Sequence, residues 1–182
     1  AIILIPAFVA FVLGYANFRR RVSGVYFAIV TLAVSAILAI VIIGQQGLTG
    51  GINGITDFKT FLGMDLDTDG AKLIMYYITA VLLIVILLAA RFVLKSRLGR
   101  VLVAIRDSDD RVRYTGYDPA MFQAFIFSVA ALFSAIGGAM FTIQIGLASP
   151  ALVGIVPSIE MVIYAAVGGR LSLIGAVYGA FL

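Results

Sequence analysis

From Gly24 to Gly44 the chain runs for 21 residues without a charge, GVYFAIVTLAVSAILAIVIIG. As an α-helix this stretch is roughly 31 Å long, which matches the hydrocarbon core of a bilayer. Only a helix satisfies its backbone within one segment there, so such a stretch fixes fold class almost by itself. Similar apolar stretches recur at Ile2–Phe18, Lys72–Leu94 and Met121–Ile145, and two further segments start at Ile159 and near Ser172. The composition agrees: 63% of the 182 residues are hydrophobic, 12% are charged, and mean hydropathy is +1.14. The chain is expected to be all-α, a polytopic transmembrane helical bundle of about five to six spans in a single domain, 1–182. It opens inside an apolar run without an initiator Met, which is expected of a piece of a longer membrane protein.

Charge placement orients the spans. Arg19, Arg20 and Arg21 follow the first span. Arg91, Lys95, Arg97, Arg100, Arg106, Arg111 and Arg113 lie between the third and fourth, and Arg170 follows the fifth. With alternate crossings all of these fall on one side, leaving only Lys59 and Lys72 on the other. The positive-inside rule makes the crowded side cytoplasmic. Arg91, one turn from the end of its span, reads as an interfacial anchor. The formal charge of +4 is therefore no nucleic-acid signal. The absence of His and Cys excludes thiolate or imidazole metal sites and Ser-His catalysis within this chain. No catalytic or metal-binding residue is expected.

Outside the spans two stretches stand out. The first, 45–71, is Gly-rich and then acidic, and is expected outside the cell as a folded loop or re-entrant turn. It lacks a P-loop. Asp65, Asp67 and Asp69 have part of a calcium-loop spacing without the closing Glu, so a solvated acidic loop is the favoured reading. The second, 95–119, is the basic loop between spans three and four. Arg97–Arg106 has Leu98, Val101, Leu102 and Ile105 on one face, the pattern of a helix lying along a surface. Ser108 then offers an N-cap (as Ser23 does for span two), Asp109 and Asp110 a first turn, Arg111 and Arg113 a last turn, and Gly116 a left-handed exit. Val112, Tyr114 and Tyr117 would be its apolar handles. A helix so short is marginal alone, and spacing leaves two readings open: docking in a partner's groove, or a solvated basic loop.

The segments LGRVLVAIRDSDDRVRYTGYDP, IGLASP and SIEMVIYAAVGGR resemble the membrane permeases of ATP-driven importers for branched-chain amino acids and related solutes. Within that family GGINGITDFKTFLG looks most like the urea-importer subgroup. The resemblance covers essentially the whole chain. It implies that Arg106, Asp107, Ser108, Asp109, Asp110, Arg111, Arg113, Gly116 and Tyr117 couple to ATP hydrolysis in other subunits. It also implies a homologous second permease subunit, two ATP-binding subunits that use ATP and Mg, and an extracytoplasmic solute-binding protein. No cofactor is expected in this chain, which would sit as a multi-pass protein in a bacterial inner membrane. Leu171 stands where the family usually has Gly, and Gln123 where a basic residue is commoner.

For the path itself the candidates are uncharged amides and one acid. Gln45, Gln46 and Asn53 would contact solute or binding protein, or simply stabilise their loop. Gln144 would face the pathway or bond to another helix. Glu160 is placed in the first turn of segment five, as a helix N-terminal charge or a contact at the mouth. Gly168, Gly169 and Arg170 mark a break, read as a discontinuous helix. The function expected is a permease for urea or short-chain amides, without an ATPase site of its own. The alternatives are branched-chain amino-acid import and, from another class, a secondary transporter or channel.

Overall fold

The computed structural model describes residues 3–22, 24–51, 54–56, 60–61, 64–65, 69–169 and 172–181. Their helices are α1 (Leu4–Arg19), α2 (Val25–Gly44), α3 (Gln46–Thr49), α4 (Asp69–Lys95), α5 (Arg97–Asp107), α6 (Asp109–Tyr114), α7 (Pro119–Ile145), α8 (Ile155–Val167) and α9 (Leu173–Phe181). Two-residue strands β1 (Ile55–Thr56), β2 (Thr60–Phe61), β3 (Met64–Asp65) and β4 (Leu147–Ala148) and a 3-10 turn at Pro150–Leu152 fill parts of the connections. The protein is a polytopic helical one. Four segments are long and apolar enough to cross a membrane, Val25–Gly44, Gly70–Lys95, Pro119–Ile145 and Pro150–Val167, and α1 is a shorter apolar helix. Pro6 falls in the first turn of α1, where its missing N–H is not needed.

The chain divides into two compact units, Ala1–Phe27 with Ile84–Met140, and Ala28–Leu83 with Phe141–Leu182. In the first, α1 and α7 meet through small residues. Ala7, Ala10 and Gly14 are buried on α1, and Ala120 and Ala124 on α7. The Ser128 hydroxyl donates to the Ala7 carbonyl at 2.7 Å. A Cβ at Gly14 would lie 3.5 Å from the Ala124 Cα, so the backbones themselves come close, as helices do in lipid. Phe18, Phe27 and Phe127 close this contact, with ring centroids 4.9 to 6.3 Å apart. The small residues farther along α7 are not all used this way: added Cβ atoms at Gly137 and Gly138 would meet nothing within 4 Å. Between α1 and α2, Arg21 takes a left-handed conformation (φ 57°), uncommon for a residue with a side chain. Ser23, expected as the α2 cap, lies outside the described residues.

In the second unit β1 pairs antiparallel with β4 (Ile55 with Ala148, Thr56 with Leu147), and β2 pairs with β3. The described part of the 45–71 stretch is thus paired at Ile55–Thr56 with the chain after α7. A Cβ on Gly54 would collide with the Ala148 carbonyl, which makes glycine a requirement there. Segment five departs from expectation. Its helix begins at Ile155, not Ile159, because Pro157 falls within the first turn, where no N–H is needed. At the far end the break expected of a discontinuous helix is the end of α8 at Val167, and α9 starts at Leu173. The Cβ positions of Gly168, Gly175 and Gly179 would each overlap backbone of the facing helix, Gly168 against the Gly175 carbonyl and Gly179 against that of Tyr164. Helices α8 and α9 therefore form a tight antiparallel hairpin, with Gly169 at φ 98° in its turn. Arg170 and Leu171 lie outside the described residues.

Candidate functional site

The polar elbow after α4 is built by one residue. The Ser96 hydroxyl donates to the Val93 carbonyl at 2.6 Å and accepts from the Gly99 N–H at 3.4 Å, closing α4 and capping α5 together. The corner is so tight that a Cβ on Gly99 would overlap the Leu94 carbonyl. Ile105 is buried on the expected face of α5, with Leu98, Val101 and Leu102 half-buried beside it.

Helix α6 follows after Ser108 alone. Asp109 and Asp110 fill its first turn and Arg111 and Arg113 its last, each sign at the end the macrodipole favours. The Arg113 guanidinium bonds to Asp109 Oδ2 at 3.3 Å across one turn, a pair worth a few tenths of a kcal/mol. Asp109 Oδ1 is enclosed without a hydrogen-bond partner. Gly116 takes the left-handed exit at φ 88°. Two expectations need correction. Ser108 stands at the N-cap with extended backbone, but its side chain makes no capping bond. Val112 is no outward handle either. It is 8% exposed, turned inward in the α5–α6 angle, while Tyr114 and Tyr117, at 90% and 54% exposed, remain as handles.

Tyr117 packs edge-on against Phe122, centroids 5.8 Å apart. The Asp118 carboxylate accepts from the Ala120 N–H at 3.1 Å, starting α7 with Pro119 in its first turn. Asp107 is held by the Arg106 guanidinium at 3.1 Å on the exposed side. Between α5 and α6 lies a groove of about 550 Å³, lined by Val101, Ala104, Val112 and Tyr117 with Asp107 and Arg111 at its edges. The sequence reading missed the Arg21 guanidinium, which comes within 3.9 Å of Asp110 and brings the α1–α2 turn to the elbow. Nine residues from 106 to 117 are thus gathered at one place.

The amide candidates are not gathered with them. Gln45 and Gln46 are exposed at the start of α3, and Asn53 lies outside the described residues. The Gln144 amide donates to Thr79 Oγ1 at 2.7 Å and to the Met75 carbonyl at 3.4 Å, so it clips α7 to α4. Glu160 is exposed in the second turn of α8, not the first, because the helix starts four residues earlier than expected. Ser35, which the sequence reading passed over, donates to the Val153 carbonyl at 2.7 Å and lies 3.4 Å from the Ser158 hydroxyl. Its only sequence signal was a serine midway along an apolar run. Asp67 lies outside the described residues, and among the described residues no cluster of acidic side chains could hold a metal ion.

The family described as the branched-chain amino acid transport system permease component matches residues 1–182. The chain belongs to this family. Two curated relatives are the high-affinity branched-chain amino acid transport system permease proteins LivM of Salmonella typhimurium and Escherichia coli. Each is 26% identical over 201 residues, covering 98% of this chain and 47% of the relative. The chain spans about half the length of these relatives. No solved structure matches. The elbow presents an exposed Tyr114 and a charge-ordered α6 beside a groove.

Proposed function

We propose that the chain forms part of the translocation path of an ATP-driven importer in a bacterial inner membrane, with α5 and α6 as the element that receives the ATPase stroke. The elbow carries this reading. Membership of the family supports a transport role, and α6 supplies a place for a partner: a six-residue helix with an exposed aromatic, Tyr114. So short a helix is stabilised by what it docks into. The 182 residues hold no phosphate-binding loop, so two ATP-binding subunits would hydrolyse ATP. A second permease subunit and an extracytoplasmic binding protein would complete the assembly. The charge asymmetry supports an elbow facing the cytoplasm and a 45–71 loop facing outward.

The names of the relatives favour branched-chain amino acids as cargo. A second reading, urea or a short-chain amide, rests on the outer-loop residues GGINGITDFKTFLG. The deciding experiment measures uptake of labelled leucine and labelled urea in cells lacking, then regaining, the full-length gene, with and without ATP depletion. ATP-dependent leucine uptake restored by the gene supports the first reading, and urea uptake the second. Uptake of either that survives ATP depletion would overturn the importer.

A further inference from the structure

The hydroxyls and amide that the helices bring together in the second unit lie far from any polar surface. Ser35 is nine residues from the end of α2 at Gly44, and Thr79 is ten from the start of α4 at Asp69. Both are thus about 15 Å along their helices from those ends, roughly half the hydrocarbon thickness. Ser35 is joined to the Val153 carbonyl and Thr79 to Gln144. The end of α7 and the start of α8 are therefore held at the middle of α4 and α2 respectively. The chain from Gly146 to Gly154, which is not α-helical, is anchored at that same level. Irregular backbone at membrane depth persists only where protein buries it or water lines it. Residues 146–149 are half-buried and Pro150 is buried, but Leu152 and Val153 are exposed, so this chain leaves that end of the segment uncovered.

We propose that Ser35, Ser158, Thr79 and Gln144 line a solute-contact site at this level, which takes a small hydrogen-bonding molecule without net charge. The proposal rests on the transport reading and assigns the place where selection happens within it. The Ser35 and Ser158 hydroxyls are 3.4 Å apart, and with the Ser35 O–H donated to the Val153 carbonyl the pair offers a solute oxygen lone pairs that accept. The Ser158 hydroxyl also bonds the Gly154 carbonyl at 3.0 Å, which ties the pair to the start of α8. None of the four side chains is titratable. The nearest acid in sequence, Glu160, lies about 200° around α8 from Ser158. Such a lining suits a neutral amide or a zwitterion and offers a lone ion no counter-charge.

The chain has no cysteine, so single thiols report directly. In the full-length, partner-complete transporter, Ser35→Cys and Ser158→Cys are treated with a positively charged, membrane-impermeant thiosulfonate, and modification of this subunit is followed by mass. Both react, and whichever of leucine or urea is transported slows the reaction. Ile37→Cys, on the opposite side of α2, stays unmodified because a thiol in lipid does not ionise. Ser35→Ala raises the KM of uptake about tenfold, the loss of one good hydrogen bond, at unchanged transporter abundance. Thiols at 35 and 158 as inert as the one at 37, or modification that neither solute slows, would overturn the site. An unchanged KM in Ser35→Ala overturns it equally. The importer reading fails separately, if wild-type uptake ignores ATP while the two thiols still react.

Discussion

The α5–α6 corner and the α8–α9 hairpin both turn the chain sharply, and they do so with different chemistry. Around α5 and α6 the turns are written in side chains: a serine cap at Ser96 where α5 begins, acids before bases in α6, a glycine exit at Gly116. At α8–α9 it is written in their absence, with Gly168, Gly175 and Gly179 letting backbone rest on backbone. Water explains the contrast. Where the chain meets solvent, unpaired N–H and C=O groups compete with water, and caps and helix dipoles decide where a helix stops. In lipid, apolar burial gives no advantage of one helix neighbour over another. Close approach then supplies the attraction, through dispersion and Cα–H contacts.

The sharpest test of this contrast is functional. Replacing Asp109, Asp110 and Arg111 together by Gly should abolish uptake while the membrane fraction keeps its normal amount of protein. Undiminished uptake would remove α6 from the coupling path. Next in size, Gly168→Leu or Gly175→Leu should cost the hairpin several kcal/mol, since a side chain there must push main chain aside. The readout is a large fall in midpoint temperature in detergent. A normal midpoint would mean the helices do not touch as described. Gly99→Ala should cost about 1–3 kcal/mol by the same overlap at the Leu94 carbonyl, visible as faster proteolysis after Lys95 or Arg97. Ser96→Ala should cost about 1 kcal/mol, the usual worth of a cap. Smallest of all, Tyr114→Ala should leave the midpoint within ±0.5 kcal/mol and yet reduce uptake, because a side chain 90% exposed has its use outside this chain.

The same division separates what could be read in the sequence from what could not. Span limits, the α5 face and the ordering of charges in α6 were legible because each rests on local pattern: hydropathy over 20 residues, the 3.6-residue period, acids and bases at fixed offsets. The Ser96 corner and the Ser35–Val153 bond were not, since a lone serine in an apolar run looks the same whether it bonds its own turn or a residue 118 positions away. Val112 misled for a related reason. On a six-residue helix every face seems free until the neighbour is known, and α5 takes that face. The start of α8 was misjudged because Pro157 was read as the end of a loop, although a proline is equally at home in a first turn. Gly168, Gly169 and Arg170 were read as the break of a discontinuous helix. In the hairpin, Gly169 serves the turn through its positive φ, and Gly168 serves the contact with α9.

The three contact glycines also set how this part of the chain is free to vary. Their spacing of seven and then four residues, Gly168 to Gly175 to Gly179, acts as a veto on volume and is blind to polarity. Alanine and aspartate are refused for the same reason there, while the exposed positions between them, such as Ile174 and Tyr178, answer only to the lipid. A library of substitutions across 168–181 would show four columns that accept a single letter, the three contacts and the positive-φ Gly169, while exposed columns such as 174 and 178 accept almost any apolar one. The pattern follows from the hairpin whichever solute the protein carries.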